Sequence, residues 1–151
     1  MERYPTPDID KYAGVLDRRF EALLLDSLLV AIVVGGLGYL GGIVVGDGSL
    51  AGIGGALLAV QFGLPVVLPL YQIICEGYSG QTPGKSLRGI VVVNEYGSDI
   101  SWGAAVIRNL LRIVDILPGF YIVGIVAAYT NDQNKRVGDM VANTVVVYTR
   151  N

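Results

Sequence analysis

Asp26 stands in the stretch FEALLLDSLLVAIVVGG, which runs from Phe20 to Gly36 and is apolar on both sides of it. A carboxylate at the centre of a membrane helix costs roughly 2.5–3.5 kcal/mol, so this one calls for a neutralising neighbour or a task. Arg19 lies seven residues earlier, on the same helical face as Ala22 and Asp26, about 10 Å away along the axis. A second set, Arg108, Arg112 and Asp115, is spaced by four and three and shares one face of another segment. A planar guanidinium can hold two carboxylates. The spacing therefore predicts that Arg108 or Arg112 pairs with Asp26, and that Arg19 helps to neutralise Asp115 or Glu76. Two kinds of chemistry fit. The ion pairs either lock helices in register, or the carboxylates Asp26, Asp115 and Glu76 bind a proton or cation along a path through the membrane.

Composition narrows the alternatives. The chain has no His, which removes the commonest general base and metal ligand. The lone Cys75 excludes an intrachain disulfide and a cysteine-cluster metal site and reads as a packing residue. No nucleophile–base pair stands out, so neither an enzyme nor a cofactor or metal is expected. Lys and Arg fall in separate clusters without interleaved aromatics, so nucleic acid is not an expected partner.

The elements that must position these charges are apolar. Hydrophobic residues make up 52% and charged residues 16% of the chain, and mean hydropathy is +0.55. Ordinary globular chains carry about 25% charged residues, so an integral membrane protein is expected. The first apolar run, about residues 20–45, covers roughly 39 Å as a helix, enough to span a bilayer with tilt. Its second half is crowded with Gly35, Gly36, Gly38, Gly41 and Gly42, which predicts tight packing on another helix. GDGS at 46–49 reads as a turn. A second span covers about residues 50–75. Within it Gln61, Pro65, Pro69, Gln72 and Glu76 are spaced to share one face that meets protein or water.

Residues 77–100 read as a polar loop and a β element. GYSGQTPGKSLRG has turn chemistry, with Gly80 and Gly84 at tight turns and Lys85 at the lipid headgroups. It is no Walker A loop, because the spacing is too short. GIVVVNEYGSDIS predicts a strand, a turn around Asn94 to Gly97 and a short second strand, and NTVVVYTR predicts another strand. Between them, residues 101–130 form a third helical segment. Ser101 is its N-cap, and Pro118-Gly119 splits it into halves too short to span separately. The segment is therefore kinked or re-entrant, and the tail follows at 131–151. The loop GDGS carries no Lys or Arg, so the positive-inside rule places the N-terminus in the cytoplasm. A cytoplasmic C-terminus keeps Lys135, Arg136 and Arg150 inside and lets the strand candidates pair. The expected fold is thus an all-α membrane protein, one domain over residues 1–151, with two transmembrane helices, a third kinked or re-entrant segment and a small cytoplasmic β element.

The chain also resembles the RDD family of small membrane proteins, from about Tyr12 to Val147. YAGVLDRRFEALLLDSLLV is similar to that family's first block, with Arg19 at the helix start and Asp26 within it. GQTPGKSLRGIVVVNEYG resembles its loop and following strand, and IRNLLRIVDILP and KRVGDMVANTVVV resemble its later blocks. The resemblance implies that Arg19 and Asp26 are the first two of the arginine and two aspartates that name the family. The third is Asp139 or Asp115, and the Gly-Asp context of the closing block favours Asp139. Transport of an unknown ligand has been suggested for the family, and some members are linked to sodium/proton exchange.

Two functions follow as expectations. One is a sodium/proton antiporter in the cell membrane, working as a homo-oligomer through its Gly-rich faces, since two spans hardly enclose a path alone. Its ion site is Asp26, with Asp115 or Glu76. The other is a non-transporting module that binds a lipid, small ligand or protein, with Arg19, Arg108, Arg112, Arg136 and Asp139 purely structural. Asp139 with Arg136 then fixes the tail against the loop.

Overall fold

The computed structural model describes residues 7–8, 15–46, 48–116 and 135–149, with the side chains of 113–116 excepted. The chain divides into two compact units, Met1–Leu23 with Gln72–Asn151, and Leu24–Tyr71. Pro118-Gly119 and the second half of the third segment lie outside the described residues.

Two long helices dominate. Helix α1 is Val15–Val45. The second runs over Ser49–Ser79 as α2 (Ser49–Leu58), a π-helical turn (Ala59–Gly63) and α3 (Leu64–Ser79). Each has 31 residues and is long and apolar enough to cross a membrane. In their most apolar windows only 6% and 0% of residues are buried. That is not the pattern of a core helix in a soluble domain, whose apolar side chains are covered. The expected spans of 20–45 and 50–75 fall within these two helices.

Glycine sets the packing within Leu24–Tyr71. A Cβ on Gly42 would collide with the Ala51 carbonyl, and one on Gly55 with the Gly38 carbonyl. The two backbones touch there because no side chain intervenes, the close approach that small residues permit. The expected tight packing is met inside one chain. Gly36, Gly41 and Gly54, by contrast, have open space at the Cβ position among the described residues. Gly48, at φ +90°, makes the turn into α2 with a backbone angle that glycine adopts readily.

The π-helical turn sits just ahead of Pro65. Proline lacks an N–H, and its ring crowds the carbonyl four residues back; a widened turn relieves both, as at other interruptions of the hydrogen-bond ladder. The widening puts Gln61 out of phase with the rest of the expected polar stripe. Gln72 and Glu76 are buried, whereas Gln61 and Pro65 are exposed.

The other unit is built on an antiparallel sheet in the order β1-β3-β2. β1 is Pro7–Asp8, β2 is Ile90–Asn94 and β3 is Thr144–Thr149. The register sets Val91 opposite Val147 and Val93 opposite Val145. β-branched residues fill both strands and suit the pleated surface. Val15 and Ala22 of α1 join Ile90, Val92, Val146, Ile100 and Ala105 in one core, while Val91, Val93, Val145 and Val147 cluster on the other face. Burying each such valine contributes about 1.5–3 kcal/mol. The outer edge of β2 is occupied by Val92 N–H to Gly80 O and Asn94 N–H to Ser98 O.

Two local expectations change. No second strand follows the Asn94–Gly97 turn, because the Asn94 side chain accepts from the Tyr96 and Ser98 amides and Ser101 Oγ then caps α5 (Trp102–Ile116) by accepting from Ala104 N–H. TPGK makes a short helix, α4 (Pro83–Leu87), rather than a turn at Gly84. Thr82 is its N-cap and Pro83 its first residue, a combination that fixes a helix start.

Candidate functional site

Helix α1 buries Val15, Arg19, Ala22, Asp26 and Val30, a run spaced by four, three, four and four along one face. Arg19 is carried into the sheet-containing unit. Its Nη1 donates to Asp139 Oδ2 at 2.7 Å. Asp139 stands on α6, the short helix Val137–Val141, and also accepts from Arg108 Nη2 at 3.0 Å and from the Arg136 amide at 3.3 Å. Gly138 makes this possible, because a Cβ there would meet the Arg108 carbonyl at 2.8 Å. Asp139 is 3% exposed. Burial by itself pushes its carboxyl up, but Arg108, Arg19 and Arg136 outweigh that and hold it well below the ordinary carboxylate value.

Glu76, 1% exposed, is the second anionic centre. Its Oε1 takes the Lys85 ammonium in an ion pair. Its Oε2 accepts from Asn109 Nδ2 at 2.9 Å and faces Arg108 Nε at 3.3 Å. Arg108 therefore bridges Glu76 and Asp139 through separate nitrogens of one guanidinium, the use for which its fork is suited. Arg112, one turn further along α5, donates to Gln72 Oε1 at 2.8 Å. Burial pushes the Lys85 ammonium down to about 8, with Glu76 opposing the shift.

The contacts described for these arginines run to other partners than those expected. Arg19 is paired with Asp139; the side chain of Asp115, one of its expected partners, lies outside the described residues. The bonds described for Arg108 go to Glu76 and Asp139, and that of Arg112 to Gln72, so their pairing with Asp26 stays a proposal. The expectation for Lys85 is corrected. It is buried in an ion pair rather than held at the headgroups, because α4 turns it inward. Lys85, Asn109 and Gln72's role as an acceptor were missed. The Thr-Pro pair that starts α4 was a signal for the first. For the second it was Asn109's position four after Ala105, on the buried face of α5.

Asp26 belongs to the other unit and is 1% exposed. The Tyr71 hydroxyl donates to its Oδ1 at 3.1 Å. Among the described residues no group of His, Cys, Asp and Glu is arranged to hold a metal ion.

The model of the RDD family matches residues 12–143, and its span includes Arg19, Asp26 and Asp139. No curated protein and no solved structure matches the chain. Over most of its length, then, the chain belongs to the RDD family.

Proposed function

Starting from a member of the RDD family with two candidate membrane helices, we propose that this protein exchanges sodium ions for protons across the cell membrane. Asp26 is the exchanging carboxylate. The supporting observation is the part-buried Tyr71–Asp26 hydrogen bond on a carboxylate that is almost fully buried. A tyrosyl hydroxyl donates to an ionised carboxylate and accepts from a protonated one. The contact therefore survives a change of protonation state, which an alternating site requires. An ionisable group at such depth is by default a functional candidate. At Glu76 and Asp139 a proton or sodium ion would have to displace a guanidinium or ammonium, at the cost of a buried ion pair.

The reading requires several copies of the chain, since two spans enclose little space between them. Gly42 and Gly55 are taken up within the chain, so subunits would meet through the faces carrying Gly36, Gly41 and Gly54. On this reading both termini lie in the cytoplasm.

The test is flux. Purified protein in liposomes with an imposed sodium gradient should change the lumenal pH, and Asp26→Asn should abolish the change. Unchanged flux in Asp26→Asn, or a strict monomer by light scattering in detergent, would sink the reading. The second reading, a module that binds a ligand without transport, is favoured by the excess of cations around Glu76 and Asp139.

A further inference from the structure

The described side chains around Asp139 and Glu76 do not balance in charge. Arg19, Lys85, Arg108, Arg112 and Arg136 face two carboxylates. Arg19 is 5% exposed, and its Nε and Nη2 are buried without a hydrogen-bond acceptor among the described residues. Uncompensated positive charge taken out of water is costly. A cavity of about 30 Å³ lies within this cluster, lined by Arg108, Asn109, Arg112, Arg136, Gly138 and Asp139. It exceeds the roughly 10–15 Å³ that a single water needs. Its walls carry three guanidiniums and one amide, donors that match an oxyanion better than a neutral solute.

We propose that this cavity binds a phosphate group, supplied either as inorganic phosphate or as the phosphomonoester headgroup of a lipid. A phosphomonoester carries about −1.5 to −2 charges at pH 7. It offsets the excess more fully than a monovalent anion does, and its oxygens accept from the forks of Arg112 and Arg136 together. The Asp139 carboxylate on the same wall repels a fully deprotonated oxyanion. It accepts a hydrogen bond from one that retains a proton, so hydrogen phosphate is preferred over sulfate. This inference does not depend on exchange at Asp26, and flux and binding can succeed or fail separately.

The test is calorimetric titration of the full chain in detergent with inorganic phosphate and with sulfate. A parallel arm uses nanodiscs of phosphatidylcholine with and without phosphatidic acid, read by native mass spectrometry. Phosphate should bind at least tenfold more tightly than sulfate. Arg112→Gln and Arg136→Gln should each weaken binding at least tenfold, whereas Arg18→Gln, on the exposed side of α1, should leave it unchanged. Phosphate should also raise the thermal midpoint of the unsubstituted chain, a readout that no variant has to fold for. Retention of phosphatidic acid without binding of free phosphate assigns the site to lipid. No binding in either arm, or equal binding by both arginine variants, overturns the proposal. Sulfate binding as tight as phosphate overturns the part given to Asp139.

Discussion

The two units of the molecule solve the same problem by opposite means. Within Leu24–Tyr71, helices are brought together by taking side chains away. Gly42 and Gly55 let backbone meet backbone, and long aliphatic side chains are left to face outward. In the unit formed by Met1–Leu23 and Gln72–Asn151, elements distant in sequence are joined by adding charge. Arg19, Glu76, Lys85, Arg108 and Asp139 link five helices through ion pairs of low exposure. In a lipid-like setting apolar surface gains little by being buried, so close approach must supply the attraction. Where a small sheet and short helices must be held in one arrangement, directional ion pairs specify it, and each is costly to break.

The largest expected effect tests the charged unit. Asp139→Asn removes the negative charge and one of the two oxygens that Arg19 and Arg108 share, and leaves buried guanidiniums without that counter-charge. It should cost about 3–5 kcal/mol, read as a fall in the thermal midpoint in detergent. A loss below about 1 kcal/mol would show that the network is dispensable and would end the contrast.

Gly55→Val comes next and tests the other unit. Its side chain must push the Gly38 carbonyl and Gly42 backbone away, at about 1–3 kcal/mol for overpacking. A cysteine pair placed across α1 and α2 should crosslink less efficiently in that variant. Undiminished crosslinking would mean that the backbones do not rely on the missing side chain.

A pH series tests the charged unit further, through Asp139 and Lys85. The Asp139 carboxyl is held below its ordinary value of 3.8. Its stabilising contribution is complete above that pH and is lost as pH falls further toward the folded-state value. Lys85 behaves in the opposite sense. Its folded-state value of about 8 lies below the ordinary 10.5, so the unfolded chain holds the proton longer. By linkage, stability rises as pH increases from about 8 to 10.5. Thermal midpoints across both windows should show a fall in acid and a rise in base, and Lys85→Met should flatten the basic limb. A basic limb that persists in that variant would assign it to another group.

The smallest effect is expected at Asp26. Asp26→Asn keeps an oxygen to accept from Tyr71, so the change in stability should stay within about 1 kcal/mol. A loss as large as that of Asp139→Asn would place Asp26 among the structural charges and remove the distinction drawn for exchange.

Much of this architecture was legible from residue types alone. The two long apolar runs, the β-branched strands and the Ser101 cap depend on local pattern, and each lies where its spacing pointed. So does the buried face of α1, where Arg19, Ala22 and Asp26 follow the helical period. Partner choice was less legible. Arg19 finds Asp139, 120 positions away, and nothing in either neighbourhood names the other.

What the sequence determined by itself is the set of elements and which of their faces carry charge, because periodicity is a property of neighbouring residues. Tertiary structure decided the pairing. Arg108 serves both Glu76 and Asp139, Lys85 turns inward on α4, and the π-helical turn before Pro65 shifts Gln61 out of phase with Gln72 and Glu76. These outcomes depend on distances between elements far apart in the chain. A guanidinium offers five donors to whatever acceptors the packed fold brings within about 3 Å, and only the fold selects among the carboxylates available.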